Sequence, residues 1–397
     1  MKLAILGIDA ATLALAEAIQ AGGRHELAWT CEWDSAAPPD FVARVRRLGV
    51  GSRPVEHWEA LLDQTLVDAV IVSRGANQDE RTEQLRKLVQ AGMPVLVSHP
   101  AFDSMLVYYE LDMIRRETGS PVLAYLSERW HPATGQLAEL IEQGSGSAIG
   151  QVEQVVMERQ LDDRDQPRVI AQFARDVDLI RRVRGEVTKL GAMGSGGQQS
   201  GYASLDVHLS SSEGVATRWS VAPVESRAGA RLTLLGSRGK AVLQIADEGP
   251  WQLEIAAAGS APRTQEFPTW NPAGEALSKL EMAIAGRTVP DWIDASRSVE
   301  LAEMIERSLR RGRTIELHYE DYTEAGTFKG TMTSVGCGLL LAGLALLVVG
   351  AIGARLGVPY LNNWPKLLLG FLAIFLMSQL LSLVFRKQTR DEPVESD

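Results

Sequence analysis

The first residues whose types and spacing could do chemistry stand near the start of the chain. The apolar run LAILGI (3–8) carries into Gly7-Ile8-Asp9-Ala10-Ala11-Thr12. A G-x-G-x-x-G in this register would let backbone N–H groups approach a pyrophosphate at a helix N-terminus. Only the first glycine is present, with Asp9 at the second position and Thr12 at the third. A carboxylate at that point repels a phosphate: two unit charges about 4 Å apart cost about 4 kcal/mol at an effective dielectric of 20, comparable to a thousandfold in binding. Glu32 and Asp34 follow the next apolar stretch, where an acid can hold ribose hydroxyls. His99, in Ser98-His99-Pro100, could exchange a proton near neutral pH. In Arg175-Asp176-Val177-Asp178, the arginine stays protonated and cannot be a general base, but it could clamp a carboxylate or phosphate by a two-pronged hydrogen bond. The chain contains no P-loop, no G-x-S-x-G, no H-E-x-x-H and no cysteine-based metal set.

These residues need elements to position them. LAILGI reads as a strand buried on both faces, and ATLALAEAIQAGG as a helix closed by glycines. ELAWTCEWD (26–34), VDAVIVS (67–73, ending at Ser73) and MPVLVS (93–98) read as further strands, with a helix at 79–91. Strand and helix alternate to about residue 125, which predicts a parallel sheet with right-handed crossovers. PVLAYLSERW (121–130) then leads into the helix ATGQLAELIEQGS. Residues 151–161 and 202–256 alternate apolar with polar and predict a large open, mostly antiparallel sheet. One helix is expected at 168–185, a loop at GAMGSGGQQSG (191–201), and late helices in AGEALSKLEMAIAG and RSVELAEMIERSLRRG.

Several stretches resemble the Gfo/Idh/MocA oxidoreductases. VDAVIVS, then a helix ending AGMPVLVSHP, is similar to that family's strand, helix and "aGkhVlcEKP" segment. ERWHP (128–132), which contains Arg129, resembles its "R-aromatic-x-P". RLTLLGSRGKAVLQI resembles its late "G-t-x-G" strand pair, and SRSVELAEMIERSLRRGRTIEL its closing helix. The resemblance covers residues 1–318 and implies an α/β Rossmann domain, here 1–123, followed by an α+β domain, here 124–320. It also implies NAD or NADP as cofactor, with Gly7, Ile8, Asp9, Thr12, Asp34 and Ser73 as the residues placed to bind it. His99 stands where the family has the lysine of EKP beside the nicotinamide. Arg175 replaces the histidine of a helical H-x-x-D, and Asp178 matches its aspartate. With Arg129, these are the catalytic candidates. The glycines, the lysine and the histidine depart together, which points to a non-redox binding or scaffolding module. The alternative is an NAD(P)-dependent oxidoreductase acting on a sugar-like or polyol substrate. The open sheet implies a homodimer.

The 397 residues carry a formal net charge of −10, which argues against a nucleic-acid partner. The six histidines are scattered, and Cys31 and Cys337 are too far apart in the pattern to suggest a disulfide or a metal site. MKLAILGIDAATLALAEA could pass for a signal peptide, but Asp9 interrupts its apolar run. Residues 335–353 and 367–385 contain no charged side chain in either stretch of nineteen. At 1.5 Å rise, each comes close to the roughly 30 Å of a bilayer core, and backbone pairing in lipid requires helices. Between them lie Gly357, Pro359, Asn362, Asn363 and Pro365, with Tyr360 and Trp364 suited to the interface. The expectation is a two-span membrane hairpin after a linker at 321–334, followed by a charged tail at 386–397. Lysine and arginine counts favour both ends in the cytoplasm.

Overall fold

The computed structural model describes residues 1–31, 44, 53–54, 57–197, 201–211, 215–224, 228–247, 249–268, 270–287 and 292–317. Asp34, the linker, both expected spans and the tail lie outside the described residues. Among the described residues, no helix is long and apolar enough to cross a membrane. Residues 1–317 form one compact unit built on two sheets.

The first sheet consists of β1 (Lys2–Leu6), β2 (Glu26–Cys31), β3 (Arg53–Pro54), β4 (Ala69–Val72), β5 (Val95–Ser98) and β6 (Val122–Tyr125). Their order is β3-β2-β1-β4-β5-β6, every pair parallel. The central strands are buried along their apolar runs, with Lys2 at the start of β1 exposed. Alternate side chains feed two cores. Ala4, Leu6, Val70, Val72, Val95 and Val97 pack with α2 (Gln78–Gln90) and α3 (Met105–Thr118). Leu3, Ile5, Ala69, Ile71 and Leu96 pack with Leu15, Ala16 and Ile19 of α1 (Ala10–Gly22). Strand order reverses between β1 and β4, the place where ligands sit in open α/β sheets.

After β6 come the short α4 (Ser127–Trp130), α5 (Pro132–Glu142) and the long α6 (Gln166–Arg184). The second sheet holds β7 (Val152–Leu161), β8 (Lys189–Gly197), β9 (Gly201–Ser210), β10 (Ala216–Pro223), β11 (Gly229–Gly236), β12 (Gly239–Ala246), β13 (Trp251–Ala257), β14 (Arg263–Phe267) and β15 (Ile315–Glu316). Its order is β14-β13-β12-β11-β7-β10-β9-β8-β15, antiparallel except for the central β7–β10 pair. One face is buried against α6, whose Phe173 meets Trp219 edge-on at 5.0 Å.

The last helices return to the first sheet. Ala276, Leu277 and Leu280 of α7 (Pro272–Ile284) join the α1 core. Trp292 of α8 (Trp292–Arg311) stacks on Tyr108 at 4.5 Å and donates its indole N–H to the Tyr108 carbonyl. The expected loop at 191–201 is corrected: β8 runs to Gly197 and pairs with β9. Its glycines lower strand propensity, and the cross-strand ladder overrides them.

Candidate functional site

At the switch point, β1 ends in Gly7, whose φ of +75° suits glycine. A Cβ there would stand 2.2 Å from Ser73 Oγ and 2.6 Å from Arg81 Nη2. Arg81 is buried and donates to Gln84 Oε1 at 2.7 Å, so a side chain of α2 fills the space beside the turn. Ser73 is also buried, and its hydroxyl has no partner among the described residues. Ile8 is half-buried and packs on the α1 core.

Asp9 is the N-cap of α1. Its Oδ1 accepts from Thr12 N at 2.9 Å, and Thr12 Oγ1 accepts from Asp9 N at 2.9 Å, which closes a capping box. Its Oδ2 accepts from Arg74 N at 3.0 Å, in the turn after β4. One carboxylate therefore takes N–H groups from both turns that flank the switch point, at a helix end that favours negative charge. It is held there by hydrogen bonds, beyond the simple repulsion the sequence suggests.

Beyond the turn lies the cleft floor. His99 follows β5, joined to Pro100 by a cis peptide. Its ring is buried, with Nε2 3.5 Å from the Ala174 carbonyl and Nδ1 lacking a partner among the described residues. Burial pushes its pKa down to about 3, and the cationic Arg175 and Arg181 add to that, so the imidazole is neutral at pH 7. Arg175 Nε donates to the His99 carbonyl at 3.1 Å, while the side chain as a whole reaches into the open. Asp178 is buried against Arg129 at 3.0 Å and Arg181 at 4.0 Å. Burial raises its pKa to about 6 against the pull of both arginines, with Asp294 adding to the rise. Arg129 is shared with Asp294 at 2.9 Å. Glu128, its neighbour on α4, has a pKa raised by burial and by Asp176 and Asp178, opposed by Arg159 and Arg175.

Two cavities meet here. The smaller, about 190 Å³, is lined by Ala10, Ala11, His99, Tyr125, Arg175 and Asp178, among others. The larger, about 680 Å³, is lined by Arg168, Gln172, His131, Asp247, Trp251 and Trp270, among others. Ser127, Glu128 and Arg175 line both.

No family model matches the chain, and no curated protein does. Solved structures do. An oxidoreductase from Agrobacterium radiobacter, in complex with NAD+, L-tartaric acid and magnesium, matches with a TM-score of 0.65 at 16% identity, over 80% of this chain and 98% of that one. An aldose-aldose oxidoreductase from Caulobacter crescentus matches at 0.65 and 18%, over 80% and 99%. A myo-inositol dehydrogenase from Corynebacterium glutamicum matches at 0.61 and 18%, over 81% and 99%. The chain has the Gfo/Idh/MocA fold.

Within that fold, the candidates named from sequence separate into two groups. Gly7, Ile8, Asp9, Thr12 and Ser73 gather at the switch point and line neither cavity. His99, Arg175 and Asp178 share the smaller cavity, whereas Arg129 stands behind it, holding Asp178. Sequence reasoning missed Glu128, Arg168, His131, Trp251 and Trp270. For Arg168 a signal was available: Arg168, Ala171, Gln172 and Arg175 recur at i, i+3, i+4 and i+7, one face of a helix. The aromatic residues come from distant stretches, and only the tertiary fold assembles them.

Proposed function

We propose that this chain is a non-redox member of the Gfo/Idh/MocA fold, a module that binds a small molecule in its cleft. The observation that carries this reading is the double engagement of Asp9. A dinucleotide's pyrophosphate needs the N–H groups at the N-terminus of α1, and here one carboxylate accepts from Thr12 N and another N–H across the switch point. NAD(P) does not fit that cradle without expelling the cap. The cleft agrees: His99 is neutral and buried, where hydride chemistry in this fold would use a lysine, and Arg175 cannot accept a proton. Without a base at Arg175 or a seat for the cofactor, what the residues retain is the means to hold a ligand.

The alternative reading, an NAD(P)-dependent oxidoreductase acting on a sugar-like or polyol substrate, is favoured by the fold likeness to an oxidoreductase whose structure holds NAD+. Titration calorimetry of the full-length chain with NADH and NADPH separates the two. The expected result is no heat of binding up to millimolar cofactor. Saturable binding at micromolar concentration would overturn the non-redox reading. Thermal melting gives the same answer independently, because a cofactor present at a hundred times its Kd stabilises by about 2.7 kcal/mol.

The module is further proposed to be held at a bilayer by residues 335–353 and 367–385, with its folded part in the cytoplasm, and to pair with a second copy through the open sheet face. The uncharged sequence of the two segments supports the first proposal, and the outward polar face of β7, β9, β10 and β11 leaves room for the second.

A further inference from the structure

The inward stripe of α2 begins with a charge. Arg81, Gln84, Leu85 and Leu88 recur at i, i+3, i+4 and i+7, and all four are buried. Leu85 and Leu88 belong to the core shared with β1, β4 and β5. An arginine at the head of that stripe asks for a reason, because arginine is almost never fully buried unless it is paired. Arg81 is 4% exposed. Its Nη1 donates to Gln84 Oε1 at 2.7 Å.

The other edge of the guanidinium lies against bare backbone. Two turns flank the switch point, one after β1 with Gly7 and one after β4 with Gly75, and both glycines have positive φ, +75° and +71°. A Cβ at Gly75 would stand 2.7 Å from Arg81 Nε and 3.0 Å from Nη2. A Cβ at Gly7 would stand 2.6 Å from the same Nη2. One planar group is therefore packed against the Cα of both turns, closer than any residue with a side chain would allow. In nucleotide-binding sheets of this kind, glycine lets a phosphate approach the backbone at such a turn. Here the approach is made by the chain's own arginine. Asp9 closes the same gap by another route, since its carboxylate accepts from Thr12 N and Arg74 N. The two turns are thus spanned twice, by a carboxylate on their N–H groups and by a guanidinium on their glycines. Neither of the two cavities described above is lined by Gly7, Ser73, Gly75 or Arg81.

We propose that Arg81 is an internal ligand of the switch point: its guanidinium occupies the glycine-lined space between the β1 and β4 turns, and the folded unit is complete there without a nucleotide. This deepens the non-redox reading and rests on its claim that a dinucleotide finds no seat at these turns. An arginine that served only the helix would be independent of the glycines. A guanidinium seated on them must be energetically coupled to them.

The test is a double-mutant cycle on the full-length chain, read as melting temperature, with Arg81→Ala, Gly75→Ala and the two together. Gly75→Ala strains a positive φ in either background, so the strain cancels in the cycle and the clash with the guanidinium remains. Gly75→Ala should lower the melting temperature by at least about 2 °C more in the wild-type chain than in Arg81→Ala. Should Arg81→Ala not fold, Arg81→Met keeps most of the stem without the planar head and takes its place in the cycle. Methylguanidine, a detached copy of that head, should raise the melting temperature of Arg81→Ala relative to the wild type and to Arg86→Ala, which removes another arginine from the same helix. Methylammonium, with the charge but not the plane, should not. Additive effects of the two substitutions would overturn the proposal. So would equal responses to methylguanidine in the three proteins, or equal rescue by methylammonium. Titrating NADPH into the wild-type chain keeps the two readings apart: cofactor binding with the coupling intact removes only the non-redox reading, and additivity without cofactor binding removes only this one.

Discussion

Asp9 joins two turns with a single side chain, so its removal is expected to cost more than an ordinary helix cap. Asp9→Ala should lower the unfolding free energy by about 0.5–2 kcal/mol from the cap alone, with the lost bond to Arg74 N added. Urea denaturation reads this directly, and an unchanged midpoint would mean that the carboxylate is not engaged as described. Asp178 makes a prediction in pH. Its folded pKa, about 6, lies above the unfolded carboxylate value. The folded state therefore holds a proton that the unfolded state releases, and this contribution to stability is full below about pH 4 and lost as pH rises through 6. The groups facing Asp178 are Arg129, Arg181, Ser298 and, through Arg129, Asp294. Asp178→Asn removes the titration. Between pH 4 and 7, the stability difference between the two proteins should move by about 2–3 kcal/mol in favour of the variant, and a flat difference would contradict the raised pKa. At this scale the sequence is half legible. That Asp9 stands at the second glycine position of a G-x-G-x-x-G is visible from Gly7 and Thr12 alone. That it is satisfied there is not, because Arg74 N arrives from a turn sixty-five residues away.

At the scale of elements, α6 and the second sheet are joined by a buried ion pair. Arg159 of β7 donates to both carboxylate oxygens of Asp176 on α6, and Trp219 of β10 donates to the same carboxylate at 2.8 Å. Arg159→Ala would leave Asp176 buried without its cation, which typically costs about 3–5 kcal/mol. A loss under about 1 kcal/mol in urea denaturation would show that α6 is held mainly by apolar contacts such as Phe173 on Trp219. The elements themselves are largely legible in the sequence. Uninterrupted runs such as AVIV and VLVS mark strands buried on both sides, and alternation marks the half-exposed ones. Two readings fell short for physical reasons. The glycines of β8 imitate a loop where pairing with β9 imposes a strand. Glu128 is not legible in the sequence, because a four-residue helix has no periodicity to show which way its side chains turn.

At the scale of the whole molecule, the chain closes its folded unit by sending α7 and α8 back onto the first sheet, then continues for eighty residues beyond Leu317. Past Lys329 the composition changes abruptly. The two uncharged stretches of nineteen are flanked by Lys329, Arg355, Lys366, Arg386 and Lys387, so the charges stop where a hydrocarbon layer would begin. If these stretches cross a bilayer, the full-length protein should remain in the membrane pellet after alkaline carbonate extraction. Recovery in the supernatant would refute the anchor. A lysine at the middle of a span costs about 2.5–3.5 kcal/mol of insertion free energy. Leu344→Lys combined with Leu376→Lys should therefore move the protein toward the soluble fraction, whereas lysine substitutions in the connecting segment, at Asn362 or Asn363, should not. That contrast matters because a peripheral protein held by its folded unit would respond to neither pair. Only a bilayer distinguishes position 344 from position 362 by depth.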